Sequence, residues 1–219
     1  MGNETIKFDP TAIEILRASL PHVPFDGWCK ATLVEGAKDC GYDAEAVKTQ
    51  FPRGAIDAIA LHSRLADQSM VDAFLDLLKD QKKCIYDTAL VLLRLEIAQP
   101  DKDAIRRAVS LLAMPANAKL SAKLLYETVD SMWRAADQRD TNFSFYTKRG
   151  TLAAVYSATM LAWLADNSSN LDKTVGFLDR RLADVARIPR LTKPARTLMS
   201  ACQRVAATFM QGFAKRHSR

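Results

Sequence analysis

Histidine, cysteine, glycine and serine motifs are where a catalytic, metal or nucleotide centre first shows in a chain, and here their spacing builds none. The histidines are His22, His62 and His217. None lies in an HExxH pair or three residues after a glutamate, so helical di-metal ligation of the Glu-x-x-His kind is excluded. Cys29, Cys40, Cys84 and Cys202 make no CxxC pair, which speaks against a zinc site or a disulfide framework and for buried, reduced thiols. The glycines form neither GxGxxG nor a P-loop, and GxSxG is absent. No catalytic residue, metal or cofactor is therefore assigned, and a non-enzymatic protein is expected.

The chemistry that is present is amphiphilic. Leu120, Leu124, Leu125, Val129, Met132, Trp133 and Ala136 fall at helical spacing. So do Leu152, Val155, Tyr156, Thr159, Met160, Trp163 and Leu164, and then Leu171, Val175, Leu178, Leu182 and Val185. Long helices with wide aromatic and methionine side chains suit an adaptable apolar pocket. The residues expected to line it are Phe74, Leu125, Val129, Met132, Trp133, Leu152, Tyr156, Met160, Trp163 and Leu178. Between the first two stripes, Phe143 to Arg149 sets aromatic rings beside two cations, the composition of a protein-interaction hot spot.

Charge gives the other clue. The formal net charge is +6, yet Val185–Arg219 carries +8 without one acid, which leaves −2 for the rest. Within that tail Leu198, Cys202, Val205, Phe209 and Phe213 make an apolar stripe, widened by Met199 and Met210. Arg196, Arg204, Lys215 and Arg216 supply its charge. A basic, acid-free amphipathic helix over 195–215 fits an anionic membrane surface. Docking on the chain's own body or on a second subunit is the competing reading.

The elements that must position these residues read as helices throughout. There is no Asn-Gly or Asp-Gly hairpin signal and no sustained alternation. Asp9-Pro10 opens a helix that Pro21 and Pro24 stop; a second spans 27–40 before Gly41; Asp43 caps a third over 44–51. A helix near 54–66 follows, and Ser69 is expected to cap a separate one. Residues 85–98, apolar on most faces, predict a buried central helix. Another runs through 105–112 to a break at Pro115. The expected organisation is all-α, in three parts: a helix-turn-helix-like unit over 1–66, a pocket domain over 67–187, and the basic linker and amphipathic helix over 188–219.

At these residues the chain resembles the Coq-nine family, lipid-binding accessory proteins of ubiquinone biosynthesis. The resemblance runs from about Phe8 to Val185. It is carried by Gly27-Trp28, Glu35-Gly36-Ala37, Phe51-Pro52-Arg53-Gly54, Asp130, Trp133, Asp137, Tyr146-Thr147-Lys148-Arg149, Val155-Tyr156 and Phe177-Leu178-Asp179-Arg180-Arg181. Ala136 stands where the family usually has glycine, Phe145 where many members have tryptophan, and the 137–146 connection is about one residue longer.

The resemblance implies a TetR-like fold, an apolar pocket for an isoprenoid quinone precursor or other lipid, and membrane association through the last helix. It also implies a di-iron demethoxyubiquinone hydroxylase as partner, met through Asp137, Phe145, Tyr146 and Arg149. A homodimer is expected by the same likeness. The expected location is cytoplasmic and peripheral to the inner membrane in a bacterium, or the matrix face in a mitochondrion if a leader has been removed.

The alternative is a TetR-like transcription regulator with a small apolar effector. Residues 1–66 hold seven cations against nine acids, and Asp43 and Glu45 open the third helix. Phosphate contact demands the opposite sign, so no nucleic-acid binding is expected.

Overall fold

Every regular element in the computed structural model, which describes residues 8–80, 86–136, 144–168 and 171–186, is helical. Helix α1 spans Pro10–Ser19, with Asp9 accepting from the Thr11 N–H at 2.8 Å as its cap. A one-turn α2, Val23–Asp26, ends at Gly27 with φ +77°. Helix α3, Lys30–Asp39, is capped by the Cys29 sulfur, which accepts from the Thr32 N–H, and Gly41 turns the chain out of it at φ +80°. Helix α4, Ala44–Gln50, is capped by Asp43, as the sequence predicts.

Helix α5 departs from expectation. It runs unbroken over Ala55–Asp80, so Ser69 begins no new helix. The stretch contains neither glycine nor proline, and a serine competes for a cap only where the backbone is already free to leave the helix. The later helices are α6 (Tyr86–Ile97), α7 (Lys102–Leu112), α8 (Ala118–Ala135), α9 (Ser144–Ala165) and α10 (Asp172–Ala186), with single 3-10 turns at Gln99–Asp101 and Pro115–Asn117. The basic linker and amphipathic helix expected over 188–219 lie outside the described residues.

The chain divides into two units. The first takes in Met1–Leu65 and Pro100–Leu124. Residues 100–124, which a division by chain order gives to the second part, cluster here for visible reasons. The Trp28 indole N–H donates to the Ala104 carbonyl at 2.8 Å, the Arg107 guanidinium donates to the Pro24 carbonyl at 2.6 Å, and His62 meets Asp101 at 2.9 Å. The core of this unit is Ile15, Leu16, Val23, Leu33, Ala37, Val47, Phe51 and Ile59, with Ala104, Ala108 and Leu124. Burying each large member contributes about 2 kcal/mol.

The second unit is Ala66–Gln99 with residues from Leu125 on. Met70, Phe74, Leu90, Leu95, Met132, Trp163 and Leu178 are buried in it. From Thr88 to Leu95 every side chain of α6 is buried, which agrees with a helix that is apolar nearly all round. Helix α9 packs on both α6 and α10.

Asp166 ties the end of α9 to the start of α10. Burial works to raise its pKa, but hydrogen bonds from the hydroxyls and backbone N–H groups of Ser168 and Thr174 outweigh that and hold it at about 2. A carboxylate held below its unfolded value stabilises the fold above that value, and the contribution is lost as pH falls through the folded one. Asp166→Ala is therefore expected to cost about 2 kcal/mol at pH 7 and progressively less from pH 4 towards pH 2. Urea midpoints of the two proteins across that range check it; a difference independent of pH would refute it.

Candidate functional site

The ten residues expected to line a pocket all fall in the second unit. Phe74 comes from α5, Leu125, Val129, Met132 and Trp133 from α8, Leu152, Tyr156, Met160 and Trp163 from α9, and Leu178 from α10. Leu125 and Met160 are partly exposed; the other eight are buried. One turn of α9 beyond Met160, Trp163 is fixed by its indole N–H donating to the Gln99 side-chain oxygen at 2.7 Å.

Amid these apolar side chains lies a polar cluster that the sequence reading passed over. Asp67 of α5 and Arg94 of α6 pair at 2.7 Å, each side chain 7% exposed. The Thr128 hydroxyl of α8 reaches both Asp67 carboxylate oxygens, at 2.9 and 3.1 Å. Tyr156 of α9, buried, lies close enough to feel both charges. Burial pushes the Asp67 carboxyl up, against the pull of Arg94 and of the hydrogen bonds that hold it. Burial also works against the charge on Arg94, but Tyr156 and Asp67 outweigh it and keep the guanidinium protonated. The Tyr156 phenol is likewise pushed up by burial, so at neutral pH it keeps its proton. Four helices thus supply an ion pair and two hydroxyls, neutral as a set.

A second constellation sits where α8 ends and α9 begins. Asp130 pairs with Arg149 at 2.7 Å and with Arg134 at 2.6 Å; the Arg149 and Asp130 side chains are each 12% exposed. Arg149 also points towards the Tyr126 hydroxyl, 3.4 Å away. Lys148 and Arg149 stand over the Trp133 ring, 6.0 and 5.8 Å from its centroid. The Trp133 indole N–H is buried without a hydrogen-bond acceptor among the described residues. Arg149, expected as a partner contact, is thus turned largely inward and joins α9 to α8. Phe145 and Tyr146 fall in the first turn of α9, and Asp137 lies outside the described residues. The tail positions Arg196, Leu198, Met199, Cys202, Arg204, Val205, Phe209, Met210, Phe213, Lys215 and Arg216 lie outside them as well.

Among the described residues no group of three or more His, Cys, Asp or Glu side chains could hold a metal ion. No helix among them is long and apolar enough to cross a membrane.

Comparison with known proteins converges on these same helices. Residues 118–189, which hold α8, α9 and α10, match the model of the COQ9 family. The chain is 30% identical to the human mitochondrial ubiquinone biosynthesis protein COQ9, over 84% of this chain and 60% of that one. The Drosophila melanogaster protein of the same name is 26% identical over 94% of this chain and 63% of its own length. The chain thus spans about three-fifths of these animal relatives. In Schizosaccharomyces pombe the corresponding protein is 30% identical over 82% of this chain and 71% of its length. A likeness that runs through both units and across most of the yeast relative is more than a shared module: the chain belongs to the COQ9 family.

Proposed function

We propose that this protein takes part in ubiquinone biosynthesis without catalysing a reaction, holding an isoprenoid quinone precursor and presenting it to the di-iron demethoxyubiquinone hydroxylase at a membrane surface. The observation that carries this reading is the interior of the second unit. Phenylalanine, methionine, tyrosine and tryptophan from α5, α8 and α9 are buried there together, on helices shared with relatives named for that pathway. An isoprenoid chain is costly to hold in water, so an apolar interior that accepts it offers a route out of the bilayer.

The first turn of α9, with Phe145 and Tyr146, is the face for the hydroxylase. The Asp130–Arg149 pair sets its angle on α8, and Asp137 is the acidic member of the same contact set. The acid-free tail anchors the protein peripherally, and a TetR-like arrangement with pairing of two copies completes the reading. In the first unit, Lys38 and Lys48 are paired with Glu35 and Glu45 at 2.8 and 2.6 Å. With Asp43 and Glu45 at the head of α4, that surface suits no phosphate backbone.

Organic extraction of the purified protein followed by mass spectrometry tests the reading. Isoprenoid quinones or their precursors in near-stoichiometric amount are expected. An empty extract, or phospholipid only at trace level, would refute it.

A further inference from the structure

Charged residues inside a helical unit need a reason. Taking a carboxylate and a guanidinium out of water costs several kcal/mol each, and a well-packed apolar pair of similar volume is often as stable or more so. Asp67 and Arg94 are therefore weakly explained as a stabilising device. They are also not isolated: Thr128 and Tyr156 bring two hydroxyls to the same place from two further helices. On α5, Met70 and Phe74 follow Asp67 at i+3 and i+7; on α8, Met132 follows Thr128 at i+4; on α9, Leu152 and Met160 flank Tyr156 at i−4 and i+4. Each polar residue thus shares its helix stripe with apolar ones.

Resting on the lipid-holding reading, we propose that the Asp67–Arg94–Thr128–Tyr156 cluster is the subsite for the lipid's head, and that it selects a neutral oxygenated ring, a quinone or phenol, over an anionic head. The choice follows from charge. Asp67 already neutralises Arg94, so a phosphate or carboxylate brought against the pair would sit buried and uncompensated. A quinone carbonyl asks only for a donor, which a guanidinium N–H or the tyrosine hydroxyl supplies, the one proton of the Thr128 hydroxyl being held by Asp67. A phenol can also give its proton to the Asp67 carboxylate in a hydrogen bond. The apolar residues along the same stripes are left to meet the tail.

Three probes with one tail separate the terms: a hexyl-substituted benzoquinone, hexylbenzene and hexyl phosphate, each read by displacement of a neutral solvatochromic dye from the full chain. The native protein is expected to prefer the quinone by about tenfold over both others, the worth of one or two net hydrogen bonds. The paired substitution Asp67→Leu with Arg94→Met keeps the volume and removes both charges. It is expected to bind hexylbenzene as before and to lose the preference. Tyr156→Phe, which removes one oxygen and leaves the ring in place, covers the case in which the double variant does not fold; it is expected to lower the preference about threefold. Equal binding of all three probes by the native protein, or an undiminished preference in either folded variant, would overturn the head-group assignment and leave lipid holding intact. Binding of none of the three would overturn both.

Discussion

Arg94→Met alone is expected to cost about 3 to 5 kcal/mol at neutral pH, the largest effect of any single polar substitution in the second unit. The methionine fills most of the space, so the loss is electrostatic: Asp67 stays buried with the Thr128 hydroxyl, but no cation, bonded to it among the described residues. The loss also carries a pH signature. Burial already pushes the Asp67 carboxyl up, and removing the guanidinium takes away the strongest influence that lowers it. A carboxyl whose folded pKa is raised is unpenalised below its unfolded value, and its cost grows as pH rises through the folded one. The deficit of Arg94→Met should therefore shrink as pH falls, because the carboxyl can take up a proton. Asp67→Asn does the reverse: it strands a guanidinium that cannot shed its charge, and it removes a carboxyl whose raised pKa penalises the native fold as pH rises, so its deficit should not grow with pH. Urea unfolding of both variants against the native chain between pH 4.5 and 8 reads the contrast. A methionine variant as stable as the native protein at pH 7, or two deficits with one pH slope, would defeat the account.

That cluster also marks where sequence reading reaches and where it stops. Helix existence followed from period and punctuation. Asp9-Pro10, Gly41 and Asp43 stand at the ends of α1, α3 and α4 because caps and left-handed turns are local chemistry, settled within four residues. The run from Ser69 misled because a serine caps only where something else stops the preceding helix, and nothing in 55–80 does. The apolar stripes were legible as helix faces turned inward, and eight of the ten residues named from them are buried.

What the stripes did not disclose is the polar content of the same interior. Asp67 and Thr128 sit on amphipathic helices, where a charged or hydroxylated residue is ordinarily read as facing water. Only their pairing across helices reveals otherwise. Arg94 did leave a trace, as the single cation in the otherwise apolar run from Ala89 to Leu95. The corner tells a similar story. Arg149 beside aromatics suggested a displayed hot spot, but Asp130, 19 residues earlier in the chain, draws it inward.

Gly36→Ala offers the sharpest test in the first unit, because two principles predict opposite signs. Glycine inside an exposed helix is about 1 kcal/mol worse than alanine, so propensity alone expects the substitution to stabilise α3. The packing of α1 on α3 says otherwise. A Cβ at Gly36 would stand 2.2 Å from the Ser19 hydroxyl oxygen, 2.6 Å from the Ser19 backbone nitrogen and 2.8 Å from its Cα. The hydroxyl is itself engaged, donating to the Ile15 carbonyl at 2.7 Å, and the other two atoms are backbone at the last turn of α1. Relief thus requires the helices to part, which opens the core around Ile15, Leu16, Leu33 and Ala37. The expected outcome is a loss of about 3 kcal/mol. For a chain of this length that is a fall of roughly 6–12 °C in Tm. Adding Ser19→Gly should recover only a small part, since it removes one of the three clashes and leaves the backbone where it was. Hydrogen exchange should lose protection in α1 and α3 while α9 and α10 keep theirs, given that the clash lies wholly within the first unit. A Tm at or above that of the native chain would mean that α1 and α3 do not approach this closely, and that Gly36 is present for some reason other than contact.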